Sequence, residues 1–265
     1  MQTTLDFLSI YLVLGLVILG LMTLLWLISL AMKNSSIVDI FWGTGFVIVA
    51  WAAFLLTPDG FEPRKYLLNT LVTIWGLRLS LHILTRNWGK PEDFRYQAWR
   101  NAAGPSWWWR SFLKVFLLQG LLLWLISTPL LAAQFSAQPD RLSALDYLAI
   151  PVWLIGFFFE AVGDWQLRRF IAVPINKGKV LSSGVWRYTR HPNYFGDAAQ
   201  WWAYFLIALS TGAWWTIFSP IVMTTLLMRV SGVALLEKSL VNEKPGYREY
   251  VETTSEFFPW FPRKK

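Results

Sequence analysis

The densest run of chemically capable side chains in this chain lies between Gly184 and Asp197. There Arg187, Tyr188, Arg190, His191, Asn193, Tyr194 and Asp197 crowd between long apolar stretches. Polar groups are costly at a membrane border, so such a cluster implies that something charged is held there. Lys177, Lys179, Arg187 and Arg190 could give charge-assisted bonds to phosphates. Taken singly, each of these cations reads equally well as a topology signal or a contact to anionic lipid. The mixture points further: Asn193 and Asp197 offer an amide and a carboxylate to a base or ribose, and Tyr188 and Tyr194 offer ring faces. Together they describe a nucleotide-holding element.

Upstream, Glu160, Asp164 and Arg168 recur at i, i+4 and i+8, which puts them on one face of a helix. An Asp164–Arg168 pair alone would be a surface contact worth roughly 0.2–0.5 kcal/mol. Glu160 carries more weight, because it follows Phe157-Phe158-Phe159 and falls within an apolar span, where a carboxylate marks function by default. Asp39 is the ionisable group of the second apolar stretch and His82 lies in the third, with Tyr96 in the polar segment that follows. Apolar surroundings favour the neutral form of a carboxyl, so a protonated Asp39 could donate to a ketone oxygen. His82 and Tyr96 are alternative donors. His82 reads equally as a helix histidine satisfied by Arg78 or a backbone carbonyl, and Tyr96 as an interfacial ring. Arg229 closes the last apolar stretch, and Glu237, Tyr247 and Tyr250 follow in an amphipathic tail.

The elements that must position these groups are membrane helices. Hydrophobic residues make up 55% of the chain and charged residues 15%, with mean hydropathy +0.41, too apolar for an ordinary soluble domain. Eighteen tryptophans suit the bilayer interface. The absence of cysteine excludes disulfides and thiolate chemistry, and two histidines exclude a histidine-rich metal site. Apolar runs predict seven spans near 7–31, 37–57, 66–85, 112–134, 144–166, 194–211 and 213–230. Polar segments 86–111, 168–193 and the tail 231–265 then carry most Lys and Arg on one side, and only Arg64, Lys65 and Arg141 fall on the other. The positive-inside rule places the N-terminus outside and the tail in the cytoplasm. The expectation is a single all-α membrane domain with its net charge of +8 used for topology rather than nucleic acid.

Several motifs resemble the steroid 5α-reductase family, in particular its bacterial multi-pass members. They are Asp39-x-x-Trp42-Gly43, Trp75-Gly76-Leu77-Arg78-Leu79, Gly89-Lys90-Pro91-Glu92-Asp93-x-Arg95-Tyr96 and Arg190-His191-Pro192-Asn193-Tyr194-Phe195-Gly196-Asp197, spread over most of the chain. The resemblance implies a seven-helix, NADPH-dependent reductase of the C4–C5 double bond of a 3-oxo-Δ4-steroid or similar lipophilic enone. It implies cofactor contacts at Asp164, Asn193 and Asp197, with Asn87, Lys90, Arg168 and Lys179 in regions where the family uses Asn or Arg. Glu160, Tyr188, Arg190, His191, Tyr194, Arg229 and Tyr247 complete the expected cofactor set, and Asp39, His82 and Tyr96 the expected catalytic set. The expected setting is a monomer in a bacterial inner membrane, with the cofactor site cytoplasmic. Membrane methyltransferases that use S-adenosylmethionine share Arg-His-Pro-x-Tyr and are the main alternative, although the Glu-Glu pair usual in their tails occurs nowhere in this chain. A non-catalytic lipid binder or transporter is a third class.

Overall fold

A computed structural model describes residues 5–230, Glu237, Leu240 and 244–263. Every regular element among the described residues is helical. Five helical runs are long and apolar enough to cross a membrane: Phe7–Met32, Ile37–Leu56, Glu62–Asn87, Phe94–Phe135 and Ala144–Ala172. The first three are the single helices α1, α2 and α3. The fourth run is composite, with α4 (Phe94–Ala103), a 3₁₀ turn (Gly104–Ser106), α5 (Trp107–Ser111), a π-helical stretch (Phe112–Leu117), α6 (Leu118–Ile126) and α7 (Thr128–Phe135). The fifth is α8 (Ala144–Ala172), and α9 (Pro192–Leu209), α10 (Phe218–Thr225) and α11 (Tyr247–Thr253) follow.

The segment 86–111, expected as a loop, is helical from Phe94 onward. Its charges suggest a loop, yet Phe94–Ala103 contains no helix breaker, and the Asp93 side chain accepts from Arg95 N–H as an N-terminal cap. Pro105 sits in a first turn, where a missing N–H costs nothing. The expected stretch 194–211 matches α9, while 213–230 is broken into a 3₁₀ turn (Trp214–Ile217), α10 and a π-helical stretch (Leu226–Val230).

The helices sort into two compact units, Met1–Ser143 with Ile207–Thr216, and Ala144–Leu206 with Ile217–Lys265. In the first unit α1 is apolar all round. Ile10, Leu14, Ile18, Met22 and Leu25 form its buried stripe, while Leu8, Leu12, Leu16 and Leu27 stay exposed, as a lipid-facing helix requires. α2 and α3 cross at Gly43 and Gly76, where a Cβ on either glycine would run into the other's carbonyl oxygen. That close approach stacks Phe46 on Trp75, both fully buried, with ring centroids 5.8 Å apart. The Trp-Gly pairs at 42–43 and 75–76 are therefore a packing contact, the small-residue crossing common between membrane helices.

Two cations of the sparsely charged face are buried in this unit. Arg64 donates to the carbonyls of Pro139 and Arg141 at 2.9 and 3.1 Å. Lys65 donates to Thr57 O at 2.6 Å and lies over the Phe54 ring at 4.2 Å.

The second unit repeats the glycine device. A Cβ on Gly156 of α8 would meet Gly196 O of α9, and the reverse holds for Gly196. This contact fixes the register that brings the polar faces of the two helices together.

Candidate functional site

Two polar constellations stand out, one in each unit. In the second unit the α8–α9 crossing creates a ladder of side-chain pairs. Asn193 Nδ2 donates to Asp164 Oδ1 at 3.1 Å, and Gln200 Nε2 donates to Glu160 Oε2 at 2.6 Å. Further along, Trp153 Nε1 donates to Tyr204 OH at 3.0 Å. Glu160, Asp164, Asp197 and Gln200 are all buried. The Oε1 of Gln200 has no hydrogen-bond partner among the described residues, so this fully buried amide offers an unused acceptor beside Glu160. Gln200 is not among the expected residues, because a Gln among Trp and Ala reads as a helix interruption. Its i+4 spacing from Gly196 and i+7 from Asn193 is the signal that could have found it.

The ladder fits a nucleotide by its donor set: carboxylates and an amide for hydroxyl and amine groups, with Arg168 and Lys179 exposed nearby in sequence for phosphate. Lys179 also lends its carbonyl to Lys244 Nζ at 3.2 Å. Tyr194 lies parallel to the His191 ring at 5.7 Å, and its N–H bonds Asn193 Oδ1 at 3.1 Å.

Arg190 and His191 are engaged differently from the phosphate role expected of them. Arg190 Nε and Nη2 grip Glu237 at 2.7 and 3.1 Å, and its Nη1 donates to Val251 O and Thr254 O at 3.2 and 2.6 Å. His191 Nε2 reaches the same Glu237 at 3.0 Å. Backbone bonds extend the clasp, from Arg190 N–H to Ser255 O and from Trp260 N–H to Tyr188 O, both 2.9 Å, and Tyr250 OH donates to Trp186 O. The tail thus wraps the loop that starts α9. Burial disfavours the charge on Glu237, but the bonds from His191 and Arg190 outweigh it and hold its carboxyl at about 2. Burial, followed by the nearby Glu237 charge, pushes the Tyr247 phenol up to about 12. Tyr188 is partly exposed and meets Phe261 edge-on, and Arg229 is exposed on the Leu226–Val230 stretch.

In the first unit, Asp39 at the start of α2 meets α4 and α6. Tyr96 OH donates to Asp39 Oδ1 at 2.6 Å, Gln119 Nε2 approaches the same oxygen at 3.3 Å, and Arg95 Nη2 lies 3.3 Å from Oδ2. Gln119 also donates to Tyr96 OH at 3.1 Å. Asp93 and Glu92 lock the segment around them. Arg95 Nε binds Asp93 at 2.9 Å, and Arg100 grips Glu92 with two nitrogens at 2.8 Å while Ser35 N–H donates to Glu92 at 2.6 Å. Burial opposes ionisation of Glu92, but the Arg100 and Ser35 bonds prevail and keep its carboxyl below the ordinary range. The structure therefore brings Asp39 and Tyr96 together, while His82 sits half-buried on α3. Gln119, absent from the expected set, reads in sequence as a lone polar residue in an apolar span.

Asn87 and Lys90 line a cavity of about 170 Å³ whose apolar wall includes Met32, Ile37, Ile40 and Leu84. Ser36, Ile37 and Ile40 of that wall bracket Asp39 in sequence.

Residues 25–254 match a family model described as a protein of unknown function, DUF1295. The chain belongs to the DUF1295 family. Both constellations of this DUF1295 protein, from Asp39 through Glu237 to Tyr250, fall inside the matched region. It is also similar to an uncharacterized protein of the fission yeast Schizosaccharomyces pombe, at 27% identity over 267 residues, covering 89% of this chain and 75% of the yeast protein. No solved structure matches it.

Proposed function

We propose that this DUF1295 chain is an integral-membrane, NADPH-dependent reductase of a lipophilic enone, of which a 3-oxo-Δ4-steroid is the type. The observation that carries the reading is the Asp164–Asn193 contact beside buried Asp197, set on adjoining helices by the Gly156–Gly196 crossing. It joins two motifs that the resemblance to steroid 5α-reductases assigns to one cofactor. Seven spans, an outside N-terminus, a cytoplasmic tail and a bacterial inner membrane complete the proposal, with the protein acting as a monomer.

Asn193, Asp164 and Asp197 would hold the nucleoside, and Arg168, Lys179, Asn87 and Lys90 the charged phosphates. When bound, NADPH would supply a hydride to the β carbon of the enone. The chain's share is to bind, to exclude water and to stabilise charge developing on the ketone oxygen. Asp39, with Tyr96 bonded to it, is the group placed for that work. Arg190 and His191 contribute indirectly, by anchoring the loop on which Asn193 sits.

A thermal-shift titration of the purified protein with NADPH, NADH and S-adenosylmethionine tests the reading. Stabilisation by NADPH is expected. Stabilisation by the methyl donor alone would replace the reductase with a methyltransferase, and a response to neither would favour a lipid binder.

A further inference from the structure

The donors around Asp39 are unevenly shared between its two oxygens. Oδ1 takes both Tyr96 OH at 2.6 Å and Gln119 Nε2 at 3.3 Å. Oδ2 has Arg95 Nη2 at 3.3 Å, and that guanidinium is bound more closely by Asp93, through Nε at 2.9 Å. An amide nitrogen can only donate. Because Gln119 Nε2 lies 3.1 Å from the Tyr96 oxygen, that oxygen is the acceptor there and its own proton is directed to Asp39. The bonds therefore run one way, from the Gln119 amide to the Tyr96 oxygen and from the Tyr96 hydroxyl to Asp39 Oδ1. Tyr96 is buried at 4% exposure, whereas the Asp39 side chain keeps 21%, so the carboxyl and not the phenol has an open side.

We infer that Gln119 is a positioning residue for Asp39: with Tyr96 it occupies Oδ1, so that Oδ2 is the oxygen that carries the proton and meets the carbonyl or hydroxyl of a bound ligand. The geometry stands by itself, and only the identity of the ligand rests on the reductase reading. In that reading the Oδ2–H bond breaks as the ketone oxygen takes the proton. The enone π electrons have moved to that oxygen as the β carbon gains hydride, so an enol forms and Asp39 is left as a carboxylate. Tyr96 and Gln119, already directed at Oδ1, stabilise the new charge without rearrangement. The enol then takes a proton from water at its α carbon and returns its O–H proton to Oδ2, which restores the acid. The arrangement also explains why an amide sits at position 119 on an otherwise apolar helix. A buried Gln must satisfy its hydrogens, and here both of its partners belong to one pair.

Infrared spectroscopy of the detergent-solubilised protein tests this without turnover. The wild type is expected to show at neutral pH a carboxylic-acid C=O band that Asp39→Asn removes. Gln119→Leu and Tyr96→Phe should each move that band to higher frequency, since each deletes a bond to the carbonyl oxygen Oδ1. Absence of an Asp39-dependent band, or a band unmoved by Gln119→Leu, overturns the inference. In parallel, Gln119→Leu should lower kcat on a 3-oxo-Δ4-steroid about tenfold at unchanged KM, while the NADPH thermal shift persists. The expected band pattern in a protein that reduces no enone would end the reductase reading and leave the Asp39 geometry standing.

Discussion

Arg190 and Glu237 are joined by two nitrogen–oxygen contacts of 2.7 and 3.1 Å, and the arginine is left only 6% exposed. Removing one partner of such a pair strands a charge that has been withdrawn from water, at roughly 3–5 kcal/mol. Glu237→Gln keeps the shape and deletes the charge, so a loss on the order of 3 kcal/mol is expected, with a lower melting temperature and faster tryptic cleavage after Arg248. A variant that melts and digests like the wild type would remove the clasp from the list of stabilising contacts.

The same pair sets an acid limit on tail attachment. The folded carboxyl of Glu237 is held at about 2, below its ordinary value of 4.5. A depressed carboxyl stabilises fully above its unfolded value, and the contribution fades as pH falls through the folded one. Tail docking is therefore expected to be constant from pH 7 to 4.5 and to weaken between 4.5 and about 2. Since the chain has no native cysteine, a spin label at Glu256→Cys reports this directly. Loosening already at pH 6 would contradict the assignment.

Gly43 and Gly76 permit no side chain, because each faces the other's carbonyl. Gly76→Leu should force α2 and α3 apart and cost at least the roughly 1–3 kcal/mol of an overpacked core. Gly20 on α1 is the control, since a Cβ added there would meet nothing within 4 Å. Gly20→Ala should be neutral or gain up to about 1 kcal/mol of helix propensity. Equal thermal melts for the two variants would show that the crossing is not tight.

Cofactor and acid functions are expected to separate on mutation. Asn193→Ala removes the donor to Asp164 and should weaken NADPH binding at least tenfold, read by isothermal titration. Asp39→Asn should leave NADPH affinity unchanged and reduce enone turnover by a hundredfold or more. Wild-type affinity in Asn193→Ala would mean that the nucleotide lies elsewhere.

Much of the architecture is legible in apolar run length, since α1, α2, α3 and α8 each follow a predicted span to within a few residues. The composite run after Phe94 is not, because its Arg, Gln and Trp content imitates an interfacial loop while its backbone bonds are satisfied as helix. Side-chain pairing divides along the same lines. Glu160 and Asp164 are visible through their i+4 spacing and burial in apolar sequence. Arg190 is visible as a cation, yet its partner Glu237 lies 47 residues downstream, and no local pattern announces such a pairing. Gln119 and Gln200 escape a reading of the sequence for a related reason. An isolated amide gives a weak signal, and only the crossing helices reveal what it touches.

The clasp around Arg190 also bears on how the chain is made. Its partners at Glu237, Val251, Thr254 and Ser255 all leave the ribosome after α9 has been synthesised. Until they arrive, a guanidinium destined for the interior must stay hydrated, and the Thr189–Pro192 turn cannot close around it. The nucleotide-facing end of α9 is thus finished last, when the tail folds back. A nascent or truncated chain that stops before residue 255 would insert its helices but hold this loop open, so binding competence would be acquired only near the end of translation.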